Sequence, residues 1–600
     1  MPVFSNLRAF LDQLRRDGDL AVVEAPVSPK LEAAEIHRRV IAAGGPALLF
    51  TNVLGSAFPL ATNLFGTARR AELAFGKRPE RLIKRLVELA ETILPPTVGK
   101  LWGARDLALE ARRVGMKSRS TGPVTGVVTS DVRLDRLPIL TTWPEDGGPF
   151  ITLPLVLTRH PEKHGPNLGM YRLHVHDRRS TGMHWQIGKG GGFHYAVAEA
   201  KQQALPVTVF LGGPPALILA AVAPLPENVP ELMLASLIAG EKLATCPGPG
   251  DEPLIAEAEF ALVGSVPPQL RRPEGPFGDH YGYYSLRHDY PVFEISHIAH
   301  RKDAIYPATV VGKPRQEDFF IGDLLQELLS PLFPLVMPAV TSLWSYGETG
   351  YHSLAAAVVK QRYKREAMAS AFRILGEGQL SLTKFLIVLD RDVDLKDFKS
   401  VLTHLLERTQ PETDLFVFSN VSMDTLDYTG PSVNEGSKGV WLGLGDPVRR
   451  LPNDFYPAVE PPADARDPRV FSPGCLVLGA PSAVADPGAA ARFAEHPAFA
   501  EWPLVVVTDE PARAAASGIN FLWTTFTRFE PAADLYAAGK RIARNHVAFR
   551  APIIIDARLK PGFPKELFAD EATAKTVTQR WNEYFPSGVP MGDAARGHLD

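Results

Sequence analysis

Between residues 116 and 312 the chain carries six strand-like runs bounded by glycine or proline: "PVTGVVTSDV", "ITLPLVLTRH", "NLGMYRLHVHD", "LPVTVFLGG", "LIAEAEFALVGSV" and "YPVFEISHIAHR". β-Branched and aromatic residues crowd these runs, and the glycines and prolines at their ends punctuate them. A middle third of this kind folds as a β-sheet domain, interrupted by one helix, "VPELMLASLIAGEK". The flanks read differently. "LEAAEIHRRVIAAGG" and "RPERLIKRLVELAETIL" have helical spacing beside the short apolar "PALLFTNV", and alternation of helices and strands resumes after "VVGKPRQEDFF". The expectation is a multidomain chain of α/β and α+β class. Its parts are an N-terminal α/β domain (1–115), a central β domain (116–315), a C-terminal α/β domain (316–450) and an α/β extension (451–600).

The tail repeats itself. "KFLIVLDRDVDLKDFKSVLTHLLERTQPETDLFVF" (384–418) resembles "PLVVVTDEPARAAASGINFLWTTFTRFEPAADLYA" (503–537), with Arg408/Arg528, Pro411/Pro531 and Asp414/Asp534 in register 120 residues apart. A degenerate duplication of a strand-helix-strand unit and chance similarity both account for it.

Composition excludes several partners. A net charge of −3 gives no pull toward nucleic acid, and two cysteines (Cys246, Cys475) build no disulfide framework, which points to the cytoplasm. At the N-terminus, Leu7, Phe10, Leu11 and Leu14 repeat at helical spacing between Ser5, a candidate cap, and Gly18, so no signal peptide is expected. The longest uncharged run, 203–226, is broken by Gly212-Gly213-Pro214-Pro215 and reads as buried strands around a turn, with no transmembrane segment.

Four places could carry chemistry. In "NLGMYRLHVHD", period two puts Met170, Arg172, His174 and His176 on one face of a strand, where the histidine pair is also a weak metal signal. In "STGMHWQIGKGGGFHY", Lys189 and Gly190 offer a cation and free N–H groups to a phosphate, although a flexible connection explains them as well. Glu231 heads an almost wholly apolar helix; its carboxylate and the Asn167 amide oxygen would suit a hard divalent cation. In "EGPFGDHYGYYS", Gly-Pro-Phe-Gly separates Glu274 from Asp279 where neither helix nor strand is expected. Folded back, the two acids would push their ionisations apart, one staying anionic beside an arginine and the other holding a proton near neutral pH.

"NLGMYRLHV", "LPENVPEL", "EGPFGDHYGYYS" and "GKPRQEDFFIG" together resemble the UbiD family of (de)carboxylases, in the family's order and over about residues 5–450. The resemblance implies a central split β-barrel, flavin-reductase-like, and a C-terminal α/β domain used to form homo-oligomers. It implies reversible, non-oxidative decarboxylation of an aromatic acid with prenylated FMN, supplied by a flavin prenyltransferase. Carried over by position, Asn167 and Glu231 match the metal ligands (Mn2+, with Mg2+ and K+ as further candidate ions). Met170, Tyr171, Arg172, His184, Trp185, Gln186, Lys189 and Gly190 match the flavin contacts. Arg172, Glu274 and Asp279 match the catalytic network, Asp279 as proton donor. Many relatives have a histidine where this chain has Gly188 and Gly190, which leaves His194 as the substitute third ligand. The chain is most similar to the long branch of menaquinone biosynthesis through futalosine, which implies a dihydroxynaphthoate-type acid. The alternatives are a (polyprenyl-)hydroxybenzoate decarboxylase, a split-barrel FMN oxidoreductase and a non-catalytic assembly module.

Overall fold

A computed structural model describes residues 4–92, 105, 112–162, 165–185, 190–225, 229–250, 252–313, 315–593 and 599. Its contacts divide the chain into two units: residues 1–328 with 566–596, and residues 329–565 with 597–600. The expected extension over 451–600 is thus divided, because its last helix, Glu571–Tyr584, packs on the helix Glu32–Ala42 of the first unit. Arg580 reaches Glu32 (2.5 Å), and Arg39 reaches Thr578 (2.8 Å).

In the first unit a four-stranded sheet (Leu20–Val23, Ala47–Phe50, Leu60–Thr62, Tyr306–Pro307) stands beside a ten-stranded one. The large sheet runs Phe150–Ile151, Leu173–Asp177, Ser180–Gly182, His288–His300, Phe260–Val266, Leu205–Leu211, Leu155–Arg159, Pro166–Gly169. Arg271–Glu274 and Val127–Thr129 add on to His288–His300. Every pairing in it is antiparallel, and it curls into a half-barrel. One source of the curl is a bulge between Val263 and Gly264. A Cβ on Gly264 would lie 2.0 Å from the Glu294 carbonyl, so only glycine lets the two strands cross there.

Three sequence expectations are corrected in this unit. Asn6, rather than Ser5, caps the helix Leu7–Arg16, accepting from the Ala9 N–H. The apolar run 203–226 is a strand (Leu205–Leu211) and then a helix (Ala216–Val222), not two strands: after the double proline, "ALILAAV" is rich in helix formers. The run 167–177 is not one strand. Pro166–Gly169 ends at one edge of the large sheet and Leu173–Asp177 resumes elsewhere in it, leaving residues 170–172 in the break. Gly169 permits this, since a Cβ there would strike the Tyr171 ring at 2.4 Å.

The run Glu317–Val336 is long and apolar enough, by length and composition, to cross a membrane. Its first residue is embedded in the protein: the Glu317 carboxylate accepts from the Phe65 N–H (2.8 Å) and the Thr309 hydroxyl (2.6 Å).

The second unit contains two five-stranded sheets with the same plan. Val340–Ser345, Leu354–Val359, Phe385–Leu389, Glu435–Gly443 and Leu415–Ser422 are matched by Arg466–Ser472, Cys475–Gly479, Leu504–Thr508, His546–Asp556 and Leu535–Ala543. In each, the outer pairs are antiparallel and the inner pairs parallel. Arg408 and Arg528 end equivalent helices, Phe398–Arg408 and Gly518–Arg528. These helices meet in one shared core, with Phe398 at 6.0 Å from Phe521 and 5.9 Å from Phe526.

Candidate active site

The acids of "EGPFGDHYGYYS" are placed by three short pieces of backbone. Glu274 ends the strand Arg271–Glu274, paired with His288. Gly275 (φ +91°) turns the chain, and Phe277–Gly278 then pairs with Tyr284–Ser285. A two-stranded hairpin therefore forms where no strand was expected, with Asp279 at the start of its turn. Gly278 is required there because a Cβ would lie 2.0 Å from Trp143. Asp146 braces the same stretch, accepting from the Gly278 N–H (2.8 Å) and from the Trp143 N–H (2.8 Å).

Arg172, in the break between two strands, reaches this hairpin from about a hundred residues away. Its Nε donates to Glu274 Oε1 (3.0 Å), one Nη pairs with Asp279 and the other donates to Ser285 Oγ (3.2 Å). The guanidinium lies over the Phe277 ring, 4.5 Å from its centroid. His184 Nδ1 stands 2.8 Å from Glu274 Oε1, and Asp279 also pairs with His280. Glu274 and Asp279 are buried, at 1% and 6% exposure.

The acids do not divide into one charged and one neutral. Burial alone would raise the Glu274 carboxyl, but His184 and Arg172 overcome it and hold it at about 2. Burial opposes ionisation of Asp279 too, and Arg172 and His280 carry it well below the usual carboxylate range. The expected proton-sharing pair is corrected here: the guanidinium sits between the acids and each has a histidine of its own. Asp318, at the head of Glu317–Leu329, is pushed up to about 6 by burial, with the Asp279 charge adding to it, and burial raises its neighbour Glu317 to about 6 as well.

A second polar cluster lies at the other end of the strand break. Asn167 Nδ2 donates to Glu231 Oε1 (2.8 Å), the Leu168 N–H to Glu231 Oε2 (3.0 Å), and the Gly191 N–H to the Tyr171 hydroxyl (3.2 Å). Burial raises the Glu231 carboxyl above its ordinary value in spite of these bonds. Gly190-Gly191-Gly192 opens the helix Gly190–Ala200 and is not a flexible connection. Cβ atoms on Gly190 and Gly191 would lie 2.6 Å from Asn167 Nδ2 and 2.6 Å from Trp185 Nε1, so glycine lets the helix end approach both.

Of the residues singled out in the sequence, Arg172, His184, Glu274 and Asp279 thus meet in one cluster, and Asn167, Tyr171, Gly190 and Glu231 in another, with Trp185 beside it. Met170 packs at the edge of an apolar core. Gln186, Gly188 and Lys189 lie outside the described residues. His194 is held by Thr158 Oγ1 at 2.9 Å, and His174 stacks on Phe150 (4.4 Å, 9°). Among the described residues no three or more His, Cys, Asp or Glu are grouped to hold a metal. The sequence reading missed His280, Ser285 and Asp146. A groove of about 840 Å3 over the strands Leu155–Arg159, Leu205–Leu211 and Phe260–Val266 is lined by none of the catalytic candidates.

Fold and sequence define a class. The models of the UbiD family, described for 3-octaprenyl-4-hydroxybenzoate carboxy-lyase, match in three parts: the N-terminal domain over 11–90, the Rift-related domain over 116–314 and the C-terminal domain over 319–443. The chain belongs to the UbiD family of carboxy-lyases. A Chlamydia pneumoniae protein, named as one of the subunits of a 4-hydroxybenzoate decarboxylase, is 51% identical over 586 residues, 97% of this chain and 99% of its own. Among solved structures, the closed form of vanillic acid decarboxylase from Sedimentibacter hydroxybenzoicus superposes with a TM-score of 0.65 at 23% identity, covering 77% of this chain and 97% of its own. An evolved dimeric form of the UbiD-class enzyme HmfF from Pelotomaculum thermopropionicum, in complex with prFMN, does so with 0.60 at 23%, covering 74% and 95%.

Proposed function

We propose that the chain decarboxylates an aromatic hydroxy acid with prenylated FMN, using Arg172, Glu274 and Asp279 on the substrate. The observation that carries this reading is the half-buried guanidinium held between two buried, ionised acids, on the same strand break as the Asn167–Glu231 cluster. The surroundings suit a flavin. Among the described residues Trp185 Nε1 and Glu274 Oε2 are buried polar atoms without a hydrogen-bond partner, and the Gly190 end of a helix is where a phosphate would be stabilised. The curled antiparallel sheet supports a split-barrel flavin site.

Prenylated FMN, when bound, supplies the electron sink that no side chain offers to the carbon losing CO2. Asn167 and Glu231 would hold a divalent cation, Mn2+ or Mg2+, against the cofactor's phosphate, with oxygen ligands of the kind such ions prefer. The chain's own residues do the rest. A substrate carboxylate and Asp279 compete for Arg172. As the substrate takes the guanidinium, Asp279 loses its main counter-charge while remaining buried, so its proton affinity rises and it can take up the proton that is later returned to carbon. Glu274, still paired with His184, keeps the arginine oriented.

The substrate candidates are a hydroxybenzoate, favoured by the name of the 51%-identical relative, and a dihydroxynaphthoate-type acid, favoured by the sequence resemblance. The test is to produce the chain together with a flavin prenyltransferase, record its absorption spectrum and assay CO2 release from benzoate and naphthoate panels. Release that needs the modified flavin supports the reading; NAD(P)H-driven flavin reduction without CO2 release would replace it with the oxidoreductase.

A further inference from the structure

The family models end at residue 443, yet a segment far beyond them returns to the acid hairpin. Glu566 forms an antiparallel bridge with Tyr283, and the Leu567 N–H donates to the Gly282 carbonyl at 3.0 Å. Gly282 is one bond from the acid, since its own N–H donates to the Asp279 carbonyl (2.9 Å) and the Asp279 N–H to Tyr283 (3.0 Å). The Leu567 side chain, 1% exposed, is buried against Trp143 and Tyr284, and a Cβ on Gly312 would lie 2.7 Å from it. Glu566 pairs with the buried Lys313, whose ammonium also lies 4.9 Å from the Phe568 ring. Past this point the helix Glu571–Tyr584 is anchored on Glu32 through Arg580 and Tyr584, both at 2.5 Å.

We infer that Glu566 and Leu567 are positioning residues: this C-terminal strap supplies a third backbone segment to the acid hairpin and holds the Asp279 turn where its carboxylate meets Arg172. The inference rests on the reading of Asp279 as the proton carrier. Within the turn the Gly282 N–H donates to the Asp279 carbonyl, the Asp279 N–H to Tyr283 and the His280 N–H to Asp279 Oδ1 (2.7 Å), with Gly282 in the left-handed region (φ +81°); the strap ties this turn to a distant segment of the chain. The strap adds a bridge, an apolar wedge and an ion pair, three contacts of different kinds within two residues. None of these groups touches the reacting atoms; they act through the position of Asp279.

The test compares Leu567→Ala with the conservative Leu567→Met in the full chain loaded with prenylated FMN. Two readouts are taken: steady-state kinetics, and amide exchange over residues 277–285 against the strand Phe260–Val266. For Leu567→Ala, exchange over 277–285 should speed up about tenfold while the strand stays unchanged. Turnover should fall roughly 10- to 100-fold with KM and bound flavin preserved, because a displacement of about 1 Å in a catalytic group costs that much. Leu567→Met should restore both. Unchanged exchange, or faster exchange with unchanged turnover, overturns the inference. If Leu567→Ala does not fold, Glu566→Gln is read in the same two ways, with the same overturning results. A wild-type chain that releases no CO2 sinks the decarboxylase reading by itself, and the exchange comparison still decides whether the strap holds the turn.

Discussion

Arg172→Met removes the guanidinium and keeps much of the side-chain volume. The variant loses the donors to Glu274, Asp279 and Ser285 and leaves two buried carboxylates with one histidine each. Glu274 is held at about 2, against about 4.3 for a free glutamate, which amounts to ~3 kcal/mol of stabilisation at neutral pH. His184 and Arg172 share that sum, and Asp279 adds a comparable share. The expected loss for Arg172→Met is then about 3 kcal/mol, in line with the ~3–5 kcal/mol for breaking a buried ion pair. The sign of the pH dependence follows. A carboxylate with a depressed folded pKa stabilises above its unfolded pKa and loses that contribution as pH falls through the folded value. The wild-type contribution of Glu274 is therefore full above about pH 5 and falls away between about pH 4.3 and 2, while that of Asp279 is lost lower still, so the gap to the variant narrows over this range without closing. Amide exchange of the strand Phe260–Val266 across a urea series follows the first unit by itself. Equal stability at pH 7, or a gap that does not change down to pH 3, would refute the account of these charges.

Two further perturbations address the Asn167 cluster. Gly190→Ala puts a Cβ about where the Asn167 amide now lies and should weaken Mn2+-dependent flavin retention ~10-fold; titration of the apo chain with FMN and Mn2+ checks it, and unchanged retention counts against the cluster. Glu231→Gln keeps an acceptor for the Leu168 N–H but loses the charge. It should lower metal affinity ~10- to 100-fold with little effect on thermal stability, measured by metal titration and unfolding temperature.

The catalytic candidates were legible because each sits in a short motif with its own backbone signal: Arg172 after Asn-Leu-Gly, and the acids around Gly-Pro-Phe-Gly. Their partners were not. His280, in the turn, and Ser285, on the second strand, are single polar residues of a hairpin whose pairing is decided only when it closes, and Asp146 acts on it from more than a hundred residues away. The strand break at residues 170–172 was hidden because period two continues through it; the deciding contact is the Tyr171 ring folding over Gly169. Three successive glycines argue against a helix by propensity, yet packing against Asn167 and Trp185 outweighs that preference at the start of Gly190–Ala200. The shared plan of the two sheets in the second unit showed in the spacing of arginine, proline and aspartate. The return of residues 566–596 to the first unit has no local pattern at all.

The exchange of partners at Arg172 can be read from protons. With the chain loaded with unmodified FMN, binding of a hydroxybenzoate or naphthoate carboxylate is followed calorimetrically at pH 7 in buffers of different ionisation enthalpy. If the ligand displaces Asp279 from the guanidinium, the wild type takes up close to one proton per ligand and Asp279→Asn takes up none. Binding without proton uptake, or the same uptake in Asp279→Asn, would contradict the claim that substrate and acid compete for one arginine.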